Sequence, residues 1–211
     1  MKRAVLAFLT YSCLTVVLTS PLIFQIGSVL PNDAGDPALN TWILWWNTQA
    51  VPSTDAWWSP PVFYRMPGSI ALSEHLAGIA LFTAPLHFAG FSPLASYNVA
   101  LILSGWLSGY FAFLLGRRLT GSTFAGLVAG IAFGIAPYRA SQLSHLQVLT
   151  SQWMPLALLA MHGYLESGRR RWLMLFGVAW ILQALSNGYY LLFFPVVIGV
   201  WLLWFVDWRT N

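Results

Sequence analysis

Charged side chains are scarce in this 211-residue chain. They make up 8% of it, whereas a soluble domain contains roughly 25% charged residues. Hydrophobic residues account for 58%, and the mean hydropathy is +0.67. This composition excludes an ordinary soluble globular domain and indicates a protein embedded in a membrane. At roughly 20 residues per span, the length allows about five to seven membrane spans.

Cysteine is almost absent as well. Cys13 is the only one, and it lies inside the first apolar run, so a disulfide within the chain and a cysteine metal site are excluded. Basic residues outnumber acidic ones by ten to six. This excess does not indicate nucleic-acid binding, because the arginines form short clusters beside apolar runs, as membrane topology signals do.

Long apolar runs are abundant. The first, residues 4–30, exceeds the apolar region of a cleaved signal peptide, which is about 7–15 residues long, and therefore predicts an uncleaved span. A more polar segment, 31–93, follows it. Residues 1–211 are thus predicted to form one all-α, polytopic membrane domain with about six transmembrane helices. The five later spans are predicted at 94–116, 122–136, 146–165, 172–185 and 189–206.

The basic residues predict how these spans are oriented. With the N-terminus in the cytoplasm, eight of the ten basic side chains fall on the cytoplasmic side, as the positive-inside rule requires. Both termini are then cytoplasmic, and segment 31–93 is extracytoplasmic. The eight are Lys2, Arg3, Arg117, Arg118, Arg169, Arg170, Arg171 and Arg209, whereas Arg65 and Arg139 lie outside.

Segment 31–93 is predicted to contain two helices that lie at the membrane surface. The first starts at Asp36 as the N-cap, with Pro37 at the first helical position, and is rich in tryptophan. The second lies within 71–89. A span there would turn every later arginine cluster outward, and Glu74 and His75 would be costly inside the bilayer.

A small-residue stripe marks the third span. Gly126, Gly130 and Gly134 recur every four residues. This spacing predicts one smooth helix face that packs closely against another helix.

The first two candidate sites are acidic. Asp33 and Asp36 are three residues apart and flank Gly35, so they are candidates for a divalent metal site or a general base. The alternative is that Asp36 only caps a helix and Asp33 only occupies a turn. Glu74 and His75 could supply ligands or a proton acceptor, or could simply occupy a first helical turn.

The other two candidate sites lie in later outer loops. Tyr138, Gln142 and His145 would share one helical face, and Arg139 between them could pair with a lipid-linked phosphate. The alternative is an interfacial tyrosine and a snorkelling arginine. The turn 186–190 is most simply explained by interfacial tyrosines. All four clusters fall on the same predicted side of the membrane, and this shared location favours a functional site there.

The chain resembles the N-terminal half of a GT-C glycosyltransferase, a membrane enzyme that uses polyprenyl-phosphate-linked sugars. The resemblance is to an uncharacterised bacterial branch and covers nearly the whole chain. The matching segments are GDPALNTWILWWN, LSEHLAGIALFTAPL, LLGRRLTGS, APYRASQLSHLQ, SQWMPLALL and LSNGYYLLFF. The spacing of the two acids differs from the family pattern, and family members have more spans. We therefore expect a truncated or partial module of this family.

The resemblance implies a function, a location and site residues. Asp36 matches the catalytic base, and Asp33 with Asp36 matches a tentative divalent metal site. The expected activity is sugar transfer from a polyprenyl-phosphate donor to a glycan, lipid or protein acceptor, on the outer face of a bacterial inner membrane. The alternative is a non-catalytic membrane protein: a flippase or transporter component, an assembly partner or an inactive fragment. With the three residues expected on one helical face added to those that the resemblance implies, the expected substrate-binding residues are Asp33, Glu74, His75, Tyr138, Arg139, Gln142 and His145.

Overall fold

The computed structural model describes residues 2–63 and 66–206, with side chains described from residue 5 onward. Arg65 and Arg209 lie outside these residues, as do the side chains of Lys2 and Arg3. Within the described residues the chain is helical or irregular, without strands, so the all-α prediction is confirmed. The helices are α1 (Lys2–Leu18), α2 (Asp36–Gln49), α3 (Asp55–Trp58), α4 (Ala77–Phe88), α5 (Pro93–Thr120), α6 (Thr123–Gly134), α7 (Pro137–Ser141), α8 (Leu146–Leu149), α9 (Trp153–Ser167), α10 (Arg170–Ser186) and α11 (Gly188–Phe205).

Three helical stretches are long and apolar enough to cross a membrane. They are α5, the stretch Thr123–Ser141 that joins α6 and α7 across a break at 135–136, and α11. The other helices are shorter. α9 has 15 residues, which at 1.5 Å per residue gives about 22 Å against a hydrocarbon core of about 30 Å. These three stretches support a helical membrane protein, but they do not establish the predicted number of six spans.

Two predicted spans are interrupted. The run 4–30 is α-helical only as far as Leu18, and apart from a single 3-10 turn at Leu22–Phe24 the chain is then irregular as far as Asp36. Pro21 explains the interruption, since proline has no N–H to continue the helix and clashes with the preceding turn. The run 146–165 divides into α8 and α9. Pro155 is the third residue of α9, a position that needs no N–H donor, so the helix begins just before it.

Close packing between α5 and α6 confirms the predicted role of the glycine stripe. Gly126, Gly130 and Gly134 are all buried. A Cβ on Gly134 would lie only 2.6 Å from the backbone nitrogen of Gly109 on α5. α1 packs antiparallel to α5, with Trp106 Nε1 donating a hydrogen bond to Ser12 Oγ over 3.1 Å.

The helices place charge of opposite sign at two ends of the bundle. At one end, the last turn of α5 meets the last turn of α9, where Arg118 pairs with Glu166. We call this the arginine end; it also includes the start of α10. At the other end, here called the acidic end, lie Asp33, Asp36 and Glu74. This separation is the one that the predicted orientation requires.

The two predicted surface helices belong to the folded body. α2 begins at Asp36, as predicted, whereas α4 is shorter than the predicted stretch 71–89. Ile43 of α2 and Ile79 of α4 share a buried cluster with Tyr97 of α5 and Leu146 of α8. Packing of this kind holds the acidic end in a defined shape.

Candidate functional site

Asp36 begins α2 without capping it. The N-cap residue is Gly35, and no side chain supplies a capping hydrogen bond there. The interpretation of Asp36 as only an N-cap is therefore wrong. Its carboxylate Oδ2 lies 3.4 Å from His145 Nε2, and the two side chains are 45% and 41% exposed.

Asp33 has a different environment. Its Oδ1 accepts a hydrogen bond from the Gly35 backbone N–H over 2.7 Å, and its Oδ2 accepts from Asn32 Nδ2 over 3.1 Å and from Ser144 Oγ. The bond from Ser144, followed by that from Gly35, lowers the pKa of Asp33. Asp33 thus links the chain before α2 to the chain before α8, and its oxygens already have donors.

The residues do not fit the tentative metal site. The described residues contain no group of three or more His, Cys, Asp or Glu side chains that could hold a metal ion. Both oxygens of Asp33 accept hydrogen bonds from N–H or O–H groups, which a bound cation would have to displace. We derive no step through a metal, and metal dependence stays a prediction.

Tyr138, Gln142 and His145 do not share a helical face. α7 ends at Ser141, Gln142 is its C-cap, and His145 is the N-cap residue of α8. The predicted geometry is wrong because two short helices replace one continuous helix. Tyr138 is 58% exposed. Of the three, His145 is the one whose side chain lies against the Asp36 carboxylate.

Arg139 points into the helix bundle. Its guanidinium donates to Ser151 Oγ over 3.3 Å, to Ser104 Oγ over 3.1 Å and to the Leu149 carbonyl over 2.8 Å. These contacts join α5, α7 and the α8–α9 connection. They account for a structural role, and contact between Arg139 and a phosphate stays a prediction.

Glu74 and His75 precede α4 rather than forming its first turn, so that interpretation is wrong. Glu74 Oε2 accepts a hydrogen bond over 2.9 Å from the backbone N–H of Gly188, the first residue of α11. A carboxylate at that helix start is favourable, because the unpaired N–H groups there carry partial positive charge. His75 Nδ1 accepts from the Ala77 backbone N–H over 3.1 Å, and burial lowers the pKa of this half-buried imidazole.

Several polar residues that connect the clusters are not among the predicted site residues. Asn40 Nδ2 donates to Gln147 Oε1 over 2.8 Å, and Asn187 Nδ2 donates to the Gln147 carbonyl over 2.9 Å. Tyr97 is fully buried, and its hydroxyl has no hydrogen-bond partner among the described residues. Tyr97 packs with Ile43 of α2 and Leu146 of α8 in the buried cluster. Its sequence context, an aromatic in an apolar span, carries no signal of this.

A shallow apolar groove lies on the face of α2 that turns away from Asp36. It has a volume of about 380 Å³ and runs between α2 and the start of α5. From α2 it is lined by Ala38, Thr41, Trp42 and Trp45, which at about 3.6 residues per turn lie on the side of the helix opposite Asp36. The groove therefore offers an apolar surface on the same helix as Asp36 but not next to its carboxylate.

Contacts thus join the four predicted clusters into one polar region at the acidic end. Asp33 contacts Ser144, Asp36 contacts His145, Glu74 contacts Gly188, and Gln147 contacts Asn187. Comparison with known proteins adds no relative: no protein-family model, curated protein or solved structure matches the chain. The resemblance to GT-C glycosyltransferases therefore stays a proposal.

Proposed function

We propose that the chain is a membrane glycosyltransferase that acts on a polyprenyl-phosphate-linked sugar at the acidic end. One observation carries the proposal: Asp36 is half exposed, caps no helix and lies 3.4 Å from His145. A general base needs a carboxylate that is accessible and not already used by the fold. Asp33 and Glu74 do not meet this condition, because each accepts hydrogen bonds that hold separate segments together.

The proposed reaction is a single displacement. Asp36 removes the proton from an acceptor hydroxyl, and the hydroxyl oxygen forms a bond to the anomeric carbon of the sugar. The bond between that carbon and the lipid-phosphate oxygen breaks, and the phosphate leaves with the bonding electron pair. His145, whose Nε2 lies 3.4 Å from Asp36 Oδ2, would hold the Asp36 carboxylate in position. The sugar configuration is inverted.

The proposed orientation follows from the charge separation. If the arginine end faces the cytoplasm, the acidic end faces outward, six helices cross the membrane, and the groove opens at the level of the lipid headgroups. The tryptophans of α2 support this depth, since tryptophan is enriched at the membrane interface. The proposed location is a bacterial inner membrane.

A non-catalytic role is favoured by a different observation. Most of the polar side chains at the acidic end are used within the fold, including those of Arg139, Glu74 and Asn40. A membrane assembly partner or an inactive fragment would need only this structural network. The two proposals differ in whether Asp36 is required for turnover.

Turnover in lipid nanodiscs tests the proposal. The purified protein is supplied with a panel of radiolabelled polyprenyl-phosphate sugars, and loss of label from the donor is measured. We expect Asp36→Asn to reduce turnover by about 10²–10⁴-fold, the usual contribution of a general base. Asp55→Asn is the matched control, because Asp55 is an exposed acid in the same outer segment at the start of α3. Equal turnover in both variants, or none in the wild type with any donor, would contradict the proposal.

A further inference from the structure

At the arginine end, the described residues carry more positive charge than their carboxylates neutralise. Among the described residues, Glu166 is the acid that pairs with an arginine there, and its partner is Arg118. The other oxygen of Glu166 lies 3.0 Å from His162 Nε2. The remaining arginines form no salt bridge within the described part of the chain. They are Arg117, Arg169, Arg170 and Arg171.

Part of this charge is arranged around one indole ring. The guanidinium carbon of Arg118 lies 4.8 Å from the ring centroid of Trp172, and that of Arg171 lies 5.6 Å from it. Trp172 is fixed in turn by α9, where a Cβ on Gly163 would come within 2.7 Å of the ring. Helices α5, α9 and α10 therefore hold two cationic groups against one aromatic side chain, with cation–π attraction to the ring.

The arrangement lies directly beside an exposed apolar surface. Leu173 and Met174 follow Trp172 in the first turns of α10, and Met174 is 71% exposed. In a bilayer, arginines and a tryptophan next to such a surface lie at the depth of the headgroup phosphates. The two arginines still have N–H donors to offer, since Arg118 uses Nε and one terminal nitrogen for Glu166.

We propose that Arg118, Arg171 and Trp172 form a binding site for an anionic phospholipid. The guanidiniums would donate to the headgroup phosphate, and the acyl chains would lie along Leu173 and Met174. A net negative headgroup is favoured over a zwitterionic one, because Arg171 and its neighbours Arg169 and Arg170 pair with no carboxylate among the described residues. The site is independent of the proposed catalytic function and of the leaflet in which the arginine end lies.

Lipid titration of the full chain in detergent tests this inference. Phosphatidylglycerol and phosphatidylcholine with the same acyl chains are compared. Binding is measured by native mass spectrometry, and protection is measured as the fraction of the protein that remains monodisperse after heating. We expect saturable binding of phosphatidylglycerol in preference to phosphatidylcholine. Arg171→Gln should weaken phosphatidylglycerol binding by about fivefold, the usual effect of one basic residue near an anionic surface.

A matched variant separates a defined site from diffuse attraction. Arg117→Gln removes the same charge from the same end, but the base of that side chain faces Gly126 on α6. Arg117→Gln should therefore weaken binding less than Arg171→Gln does. Should Arg171→Gln fail to fold, Arg171→Lys retains the charge without the planar guanidinium and should also bind more weakly than wild type.

Three results would overturn the inference. The first is equal binding of the two lipids by the wild type. The second is an equal loss of binding in the variants at positions 117 and 171, which would indicate charge alone. The third is equal protection by glycerol phosphate at the same concentration, which would show that the ligand is a free anion.

Discussion

At the scale of single residues, similar side chains acquire different roles from their neighbours. Asp33 and Asp36 are three residues apart, yet Asp33 accepts hydrogen bonds from Asn32, Gly35 and Ser144, whereas Asp36 contacts His145. The hydrogen bonds to Asp33 stabilise its charge and use its acceptor capacity. Asp36 retains the accessible oxygen that proton transfer requires. The difference arises from residues about 110 positions later in the chain.

His75 should make the stability of the protein depend on pH. Burial lowers the pKa of His75 in the folded state, and its Nδ1 accepts the Ala77 N–H only when the imidazole nitrogen is unprotonated. The unfolded chain then binds the proton more readily, so stability is present above the ordinary histidine pKa of about 6.5 and falls as the pH drops through it. We expect the melting temperature in detergent to decrease on acidification below about pH 6.5.

An asparagine variant checks this assignment. Asn can still accept a hydrogen bond at position 75 but does not titrate, so His75→Asn should reduce the loss of stability at low pH. His87→Asn near the end of α4 is the matched control and should leave the loss unchanged. A pH dependence that is identical in wild type and His75→Asn would show that other groups cause it.

At the scale of helices, ends and small residues determine how the segments join. Glu74 lies outside the helix it was predicted to start and instead binds the first N–H of α11, over a separation of 114 residues. Leu76, between Glu74 and α4, has a positive φ of 53°, a conformation that ends the preceding segment before the helix begins. Glu74 therefore stabilises the start of α11 and not that of α4, the helix start that was predicted.

The contact between α5 and α6 should be sensitive to a single methyl group. A Cβ at Gly134 would meet backbone atoms of Gly109 and Gly105, which cannot move aside as a side chain would. Gly134→Ala should therefore destabilise the protein by about 1–3 kcal/mol, the usual range for overpacking. The measurement is the temperature at which half of the purified protein loses its monodisperse peak.

Gly199→Ala is the control for this substitution. A Cβ at Gly199 on α11 would have nothing within 4 Å, so the variant should melt at the wild-type temperature or slightly above it. A Gly134→Ala protein as stable as Gly199→Ala would contradict the packing described here.

At the scale of the whole molecule, the bundle has an acidic end and an arginine end. The separation is produced by antiparallel packing: α1 runs against α5, and α5 runs against α6. Each helix thus returns the chain to the opposite end, and the short connections 121–122 and 168–169 keep the arginine clusters together. The proposed membrane orientation depends on this arrangement.

Cysteine labelling tests the orientation. In a Cys13→Ser background, Ser141→Cys places an exposed thiol at the acidic end, and Ser167→Cys places one at the arginine end. A membrane-impermeant maleimide added to spheroplasts should label the first, and should label the second only after permeabilisation. The reverse pattern, or labelling of both from outside, would contradict the proposed topology.

The sequence by itself determined the class of the protein and the side on which its polar clusters gather. Few charges, apolar runs and arginine clusters are local properties of composition, and they predict a helical membrane protein whatever its detailed packing. The start of α2 was equally readable, since Asp36-Pro37 is a local signal. The glycine stripe of α6 was readable because its four-residue spacing alone defines a helix face.

Only the tertiary structure decided which polar groups are used by the fold. Arg139 turns toward Ser104 and Leu149, and Tyr97 is fully buried beneath α2, although both are ordinary residues in their sequence contexts. The breaks that separate α7, α8 and α9 also shape the site, because they place His145 against Asp36 and leave Tyr138 exposed. The physical reason is that hydrogen-bond satisfaction depends on distant segments meeting, and a pattern along one segment does not contain that information.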